Sequence, residues 1–344
     1  MRWFLGLVLV VVLIAGALYG VGRFLLPNAL EVTRTASIDR PRAAVFAMVN
    51  DLRIAKEWSP YYALDPEAEY SISDEPGEGQ RMRWVSQVRQ VGAGRMSIVS
   101  STENEEVESI LEMGERTTLN SRIELIQAEQ ATSVAWSISG ACPESGLNVP
   151  CRYMNLVLRG RIEKDLDSGL ARLKTLTEQL PDVNFENLRP EFLNVAPQAY
   201  VYSQVTTSNQ DSVQLDRALA SGLSQVNTFM TEYSLVQAGP QMRVTTEWSA
   251  ADNRMSFRVG YPFSGPMPLT LVNIQIGQTP SGRALRVMHE GPRAQTRATY
   301  AKIYAYLQAH RIPLREDGLP WEVIHDQGGP DGAASRVEIF VPLQ

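Results

Sequence analysis

The chain has 344 residues, 44% of them hydrophobic and 20% charged, so it contains enough apolar material for about two packed domains, and wholesale disorder is excluded. The formal net charge of −6 argues against a nucleic-acid-binding protein, which usually carries a clustered basic surface. With 3 His and 2 Cys the chain is too poor in these residues for a rich metal site or a disulfide scaffold, and we expect neither a metal nor a cofactor.

The first predicted element is a membrane-spanning helix. From Trp3 to Gly22 the sequence carries no charged side chain, and this length is close to the roughly 20 apolar residues that cross a bilayer core. Tyr19 and Trp3 lie near the two ends, where aromatic rings favour the interface. A cleaved signal peptide is the alternative, because Ala15–Ala17 resembles a small-residue cleavage site. Since the apolar run continues to Leu26, we favour an anchor over residues 1–26.

The two cysteines bear on the compartment. Cys142 and Cys151 bracket a short loop with two prolines and a glycine, and a disulfide could close this loop without distorting neighbouring elements. Two unpaired thiols in a reduced cytoplasm remain the alternative. Basic residues lie at both ends of the apolar helix and do not orient it. We expect a single-pass inner-membrane protein whose soluble domains are extracytoplasmic, in the periplasm.

The sequence pattern over residues 30–180 predicts a first α+β domain that ends in a long helix. After the strand Leu30–Ile38, Pro41 opens a short helix and a second one covers Asp51–Glu57. The closing helix, from about Met154 to Leu180, carries leucines at helical spacing. Between these helices, turn signals separate strand-like runs around Tyr70 and at Gln80–Val88, Arg95–Ser101, Val107–Met113, Thr117–Leu125 and Thr132–Ser139.

The segment Ser37–Pro66 (SIDRPRAAVFAMVNDLRIAKEWSPYYALDP) and the closing SGLARLKTLTE resemble the START-like superfamily, also called the polyketide cyclase/dehydrase or SRPBCC group. The resemblance implies a helix-grip fold, in which a curved antiparallel sheet surrounds the long helix with an apolar cavity between them. Aromatic residues could line that cavity or simply fill the core. Because such families include both enzymes and lipid carriers, the fold does not decide the activity. The candidate aromatics are Trp58, Tyr61, Trp84 and Trp136.

A linker at residues 181–191 leads into a second predicted domain over residues 192–344. Its segments Val287–Ile312 (VMHEGPRAQTRATYAKIYAYLQAHRI) and Leu319–Asp326 (LPWEVIHD), with the closing VEIFVPL, resemble the gyrase-inhibitor-like, AraC-type effector-binding domain. The resemblance implies a pseudo-duplicated βαββ pair with a central cleft for amphipathic or cationic small molecules. The predicted helices are Asp211–Tyr233 and Gln295–Ala309, and the predicted strands are Pro197–Thr206, Met242–Trp248, Arg254–Tyr261, Ala284–Glu290, Trp321–His325 and Ser335–Val341.

Glu322 matches the cleft glutamate of that family by its position within Trp-Glu-Val. The resemblance implies a carboxylate surrounded by aromatics, which would bind an organic cation; an outward-facing strand glutamate is the alternative. The histidines lack ligands at metal-binding spacing, and we expect His289 to be structural. The candidate cleft aromatics are Trp248, Tyr261, Tyr304 and Trp321.

These features favour a membrane-anchored binding protein for hydrophobic or amphipathic small molecules, acting as a sensor, carrier or scavenger. A hydrolase or cyclase with Glu322 as general acid/base is the alternative. The chain lacks the Gly-x-Ser-x-Gly, Gly-Lys-Ser/Thr and His-Glu-x-x-His motifs. A transcription factor is disfavoured, because a membrane span and a cavity domain stand where a helix-turn-helix would precede the effector-binding domain.

Overall fold

The computed structural model describes residues 2–114, 117–143, 148–208, 212–249, 251–266, 274–316, 318–327 and 334–344. The chain divides into two compact units, Met1–Glu186 and Asn187–Gln344. Each unit contains one antiparallel sheet with helices, so the predicted α+β class is confirmed.

Unit 1 builds a sheet with the strand order β1-β7-β6-β5-β4-β3-β2. Every strand pairs antiparallel with its neighbour, and the first strand lies beside the last because β1 pairs with β7 along its whole length. The elements are α1 (Arg2–Phe24), β1 (Ala29–Ile38), α2 (Arg42–Val49), α3 (Leu52–Trp58), α4 (Pro60–Leu64), β2 (Glu69–Ile72), β3 (Arg81–Val85), β4 (Ala93–Thr102), β5 (Glu106–Met113), β6 (Thr117–Ala128), β7 (Ala131–Ala141) and α5 (Val149–Thr177).

The short helices of unit 1 begin at residues suited to helix starts. Pro41 occupies the cap position of α2, where its missing N–H costs nothing. The Asp51 carboxylate accepts a hydrogen bond from the Arg53 backbone N–H at 2.9 Å and so caps α3. Ser59 accepts in the same way from the Tyr61 backbone N–H at the start of α4. Local sequence therefore specifies this part of the fold.

Helix α5 packs on the sheet through a narrow apolar stripe. Leu166, Leu170 and Leu173 are buried, as the predicted leucine spacing requires. Gly169 passes so close to the Trp136 ring that an added Cβ would lie 2.6 Å from it. The helix begins at Val149, five residues before the predicted start, because a proline at position 150 is tolerated in a first turn. This helix across an antiparallel sheet is the arrangement that the START-like resemblance implied.

Helix α1 is apolar over most of its length. Its segment Gly6–Phe24 is long and apolar enough to cross a membrane by length and composition, and 6% of it is buried within the protein. A cleaved signal sequence near the N-terminus meets the same criteria of length and composition, so these criteria alone do not distinguish it from an anchor.

Unit 2 builds one sheet with the order β13-β9-β12-β11-β15-β16-β14-β8, and β10 pairs additionally with β12. β8 begins inside the predicted linker and pairs with β14. The elements are β8 (Glu191–Val195), β9 (Ala199–Ser208), α6 (Ser212–Glu232), β10 (Val236–Gln237), β11 (Gln241–Ser249), β12 (Arg254–Ser264), β13 (Gln275–Gln278), β14 (Gly282–Gly291), α7 (Thr296–Ala309), β15 (Trp321–Asp326) and β16 (Ser335–Pro342).

Both helices of unit 2 lie on one face of its sheet, which we call the helix face. An added Cβ on Gly222 of α6 would lie 2.8 Å from Val259 of β12, and α7 contacts β14 through a hydrogen bond between Thr299 and His289. Since α6 covers β9 and β12 while α7 covers β14, the strands β11, β15 and β16 lie between the covered strands. We call the region above β11 and β15, between α6 and α7, the groove.

Candidate functional site

The floor of this groove holds a buried ion pair. Arg243 on β11 and Glu322 on β15 are direct cross-strand partners, so their side chains share one face. The Arg243 Nη2 atom donates to Glu322 Oε1 at 2.6 Å, and the Tyr300 hydroxyl of α7 donates to the same oxygen at 2.8 Å. Glu322 is 3% exposed. A carboxylate at this depth is stable only because two donors converge on it.

Burial and charge shape the titration of the two donors. Burial raises the pKa of the Tyr300 hydroxyl well above its usual value, and the Glu322 carboxylate raises it further. Burial alone would lower the pKa of the Arg243 guanidinium, but the adjacent carboxylate holds it above its usual value. Tyr300 therefore stays neutral and Arg243 stays charged across the physiological pH range.

Both helices contribute to the rim of the groove. Tyr304 lies one turn after Tyr300 on α7, their rings are 6.4 Å apart, and Tyr304 is exposed. Asp216 of α6 and Arg293, just ahead of α7, form an ion pair at 2.8 Å that joins the two sides of the groove. A half-exposed aromatic and an exposed ion pair thus stand above a buried polar floor, an arrangement suited to an amphipathic molecule.

The ion pair changes the chemistry expected of Glu322. The resemblance implied a carboxylate among aromatics, whereas Glu322 is already neutralised by Arg243, whose side chain is 15% exposed. A paired carboxylate does not present the net negative charge that attracts an organic cation. The pair offers charged donors and a carboxylate acceptor side by side, which suits a neutral or zwitterionic polar group.

The other predicted cleft aromatics of unit 2 are dispersed. Trp321 precedes Glu322 on the strand and so lies on the opposite face, stacked on Phe340 with ring centres 4.8 Å apart; it is not a wall of this groove. Tyr261 packs beside α6 against a cluster that includes Val226. Trp248 is 57% exposed at the far end of β11. Tyr304 alone among the four stands beside the partners of Glu322.

The predicted cavity residues of unit 1 pack in its core. Trp58 and Trp136 form an edge-to-face pair with ring centres 5.2 Å apart, and both are buried, as is Trp84. Their indole N–H groups donate to the Met48 carbonyl at 2.9 Å, to the Ser121 hydroxyl at 2.9 Å and to the Val91 carbonyl at 3.4 Å. These contacts are those of core residues, and they correspond to the alternative interpretation of the three tryptophans.

A second polar cluster lies between α4 and α5. The Tyr61 hydroxyl donates to the Asp165 carboxylate at 3.4 Å, and Arg161 lies 3.9 Å from the same carboxylate. Burial raises the pKa of the Tyr61 hydroxyl to about 12 and also raises the pKa of the Asp165 carboxyl. Burial of both groups is less complete than at Glu322, so we rank this cluster second.

The remaining predicted features are local. Among the described residues, no three His, Cys, Asp or Glu side chains lie together as they would around a metal ion. His289 is buried and its Nδ1 atom lies 2.8 Å from the Thr299 hydroxyl. Cys142 and Cys151 form a disulfide with Cα atoms 5.9 Å apart, and part of the loop between them lies outside the described residues.

A separate open surface depression of about 700 Å³ follows one side of α6. It contains no buried charge, and none of its lining residues was a predicted site residue. The lining residues are Ala220, Leu223, Ser224, Asn227, Thr228, Thr231 and Glu232.

Sequence inspection missed Arg243 and Tyr300. Arg243 stands between the buried residues Met242 and Val244, a polar–apolar alternation that usually marks a solvent-facing side chain, so no local signal identified it as buried. Tyr300 precedes the predicted Tyr304 by four residues and therefore shares its helix face.

No protein-family model matches the chain, and no curated protein matches it. Similar solved structures include a START superfamily protein from Mycobacterium smegmatis, at 14% identity and a TM-score of 0.31, covering 44% of this chain and 98% of that one. A protein of unknown function, SA2116 from Staphylococcus aureus, has 16% identity and a TM-score of 0.35, covering 44% and 97%. Protein MLL2253 from Mesorhizobium loti has 12% identity and a TM-score of 0.34, covering 43% and 97%. At these scores the helix-grip description of unit 1 rests on its own strand order and helix placement.

Proposed function

We propose that this chain is a membrane-anchored protein that binds hydrophobic or amphipathic small molecules, with unit 2 as the main binding unit. The supporting observation is the ion pair of Arg243 and Glu322 at the floor of a groove between two helices, with Tyr304 above it. The polar end of a ligand meets the ion pair, and its apolar part lies against the aromatic rim.

The order of elements in unit 2 favours this location. Apart from the two-residue strand β10, the series β9-α6-β11-β12 and β14-α7-β15-β16 repeat the pattern strand, helix, strand, strand, and we interpret them as the two βαββ halves implied by the resemblance. Arg243 and Glu322 pair across β11 and β15, where the two halves meet. Clefts between repeated halves are common ligand sites, because both halves contribute side chains there.

We also propose that α1 anchors the chain in the inner membrane and that both units are extracytoplasmic. The apolar length of α1 and the disulfide between Cys142 and Cys151 support this proposal, since disulfides persist in oxidising compartments.

Mass spectrometry of the copurifying molecules tests the binding function. The full chain is purified in mild detergent, extracted with organic solvent, and compared with the variants Tyr304→Ala and Trp248→Ala. We expect a small molecule with an apolar part in the wild type, several-fold less of it with Tyr304→Ala, and an unchanged amount with Trp248→Ala. Trp248 is a matched control because it is an exposed aromatic five residues from Arg243 along β11, about 17 Å away.

The same material separates binding from catalysis. If the extracted molecule is returned to fresh protein, a binding protein leaves it unchanged, whereas a hydrolase or cyclase converts it and loses that activity with Glu322→Gln. Recovery of no molecule beyond those in a detergent blank, or equal recovery from all three proteins, contradicts the proposed site.

A further inference from the structure

The carboxyl-terminal end of α1 is fixed to the first turn of α5. Arg152 is 8% exposed, and its Nη1 atom donates to the carbonyl oxygens of Arg23 at 2.8 Å, Leu26 at 2.9 Å and Gly22 at 3.4 Å. Carbonyls at the end of a helix lack partners within the helix, so this one side chain caps α1. A cation at a helix carboxyl terminus also interacts favourably with the helix dipole.

A second set of contacts extends this attachment towards the middle of α1. The Tyr153 hydroxyl donates to the Leu18 carbonyl at 2.8 Å. Gly22 is buried, and an added Cβ there would lie 2.4 Å from Val149 and 2.8 Å from the Tyr153 ring. The first turn of α5 therefore lies alongside the last two turns of α1, and the apolar helix is no flexible tether.

Large apolar side chains next in sequence to these contacts, at the end of α1 and on α5, are exposed. We call them the base patch; their exposed fractions range from 50% to 83%. Water-facing helices of soluble domains carry polar residues in such positions, and a group of exposed large apolar side chains marks an interaction surface. The base patch consists of Phe24, Leu25, Met154, Leu156 and Val157.

Two arginines follow the base patch along α5. Arg159 and Arg161 are exposed, and they donate to the backbone carbonyls of Glu31 at 3.1 Å and Gln90 at 2.8 Å. At 1.5 Å rise per residue, Arg161 lies about 6 Å beyond Val157 along the helix axis. An apolar turn followed by arginines matches the change from acyl chains to phosphate headgroups at a bilayer surface.

We propose that the base patch is embedded in the interface of the bilayer that α1 crosses, so that residues 154–157 of α5, just after its first turn, contact lipid. This inference rests on the membrane anchor proposed above. The bilayer is the expected occupant because the patch is continuous with α1 and α1 is rigidly attached to it. Unit 1 is then seated on the membrane surface in one orientation, with its sheet extending away from it.

Lipid-borne quenching in vesicles tests this placement on the full chain. Single cysteines at Leu13→Cys, Val157→Cys and Ile126→Cys are labelled with the fluorophore NBD, and the proteins are reconstituted into phosphatidylcholine–phosphatidylglycerol vesicles with or without doxyl-labelled lipid. Ile126 is the control, because it is an exposed apolar residue beside the far end of the sheet. Strand β1 has 10 residues, which places that end about 30 Å from α1.

We expect quenching at Val157 of the same order as at Leu13 and several-fold above that at Ile126, with Met154→Cys behaving like Val157→Cys. Quenching at Leu13 but not at either α5 position overturns the inference and leaves the anchor intact. The Val157 label could instead be blue-shifted without being quenched by lipid, with an emission that depends on the protein-to-lipid ratio. That result indicates a second copy of the chain on the base patch and also overturns the inference. Absence of quenching at Leu13 refutes the anchor itself.

Discussion

Replacement of Glu322 by Gln tests whether the Arg243–Glu322 ion pair holds the central strands of unit 2 together. Gln keeps the size of Glu and an oxygen that can accept from Arg243 and Tyr300, but it removes the negative charge. The buried guanidinium then lacks its counter-charge, and we expect β11 and β15 to open more easily.

The size of the effect follows from the two hydrogen bonds at 2.6 Å and 2.8 Å. A hydrogen bond to a charged group contributes about 1.5–3 kcal/mol and a neutral one about 0.5–1.5 kcal/mol, so the Tyr300 bond loses about 1–1.5 kcal/mol, while the bond from the Arg243 guanidinium keeps one charged partner. Removing one partner of a fully buried pair costs about 3–5 kcal/mol, and the 15% exposure of Arg243 reduces this penalty. We expect about 2–4 kcal/mol.

Hydrogen exchange followed by mass spectrometry measures this locally in the intact protein. About 2–4 kcal/mol corresponds to exchange of the β15 amides that is roughly 30-fold to 1,000-fold faster, while the β6 peptides of unit 1 are unchanged. The effects of Arg243→Met and Glu322→Gln on β15 exchange are expected not to add. In the double variant the β15 amides exchange more slowly than the sum of the two single effects predicts, because no charge is left unpaired. Unchanged β15 exchange in Glu322→Gln, or strictly additive effects, refutes the ion pair.

Two further predictions concern unit 1. In protein taken from cells and denatured without reductant, Cys142 and Cys151 are expected to resist alkylation until dithiothreitol is added, and two readily labelled thiols contradict the disulfide and the extracytoplasmic location. Burial alone would raise the pKa of the Asp51 carboxyl, but hydrogen bonds from Arg53 and Gln80 outweigh it and hold this pKa below its usual value. As the pH falls, the unfolded chain therefore takes up the proton before the folded chain does. The ionised Asp51 thus stabilises the fold above about pH 4, and this contribution is lost as the pH falls further. We measure the free energy of unfolding of the full chain in urea between pH 5 and pH 3. Per pH unit, this free energy is expected to fall by up to about 1.4 kcal/mol less in Asp51→Asn than in the wild type. The same pH dependence in both proteins contradicts the prediction.

The parts of the fold that were predictable are those specified by local sequence. Pro41, Asp51 and Ser59 mark the short helices of unit 1 because a cap acts within two or three residues of itself. The leucine spacing of α5 likewise predicts which side of the helix is buried. Its first turn, residues 149–153, was missed because it contains a proline and an arginine in place of the leucines on which the prediction depends.

The candidate site was predicted only in part, because it depends on contacts between residues distant in the chain. Glu322 could be singled out from its neighbours in sequence, but its partner Arg243 is 79 residues earlier. That pairing is fixed by the register of β11 against β15, which no local pattern specifies. Trp321 and Glu322 are neighbours in sequence but lie on opposite faces of β15, so one cleft cannot be read from the Trp-Glu pair alone.

The contacts at the base of unit 1 join the disulfide, the helix α1 and the sheet. Cys151 immediately precedes Arg152, which caps α1, and Cys142 donates its backbone N–H to the Asn28 carbonyl at 2.9 Å, in the turn after α1. The disulfide therefore closes a ring of contacts in which α1 leads into the first strand and α5 begins after the last strand. Because a cross-link limits how far its two segments can separate, reduction of this bond frees the first turn of α5 from β7 while Arg152 still caps α1. Loss of the disulfide is thus expected to act on the proposed seating of unit 1 at the membrane before it acts on the core of the sheet.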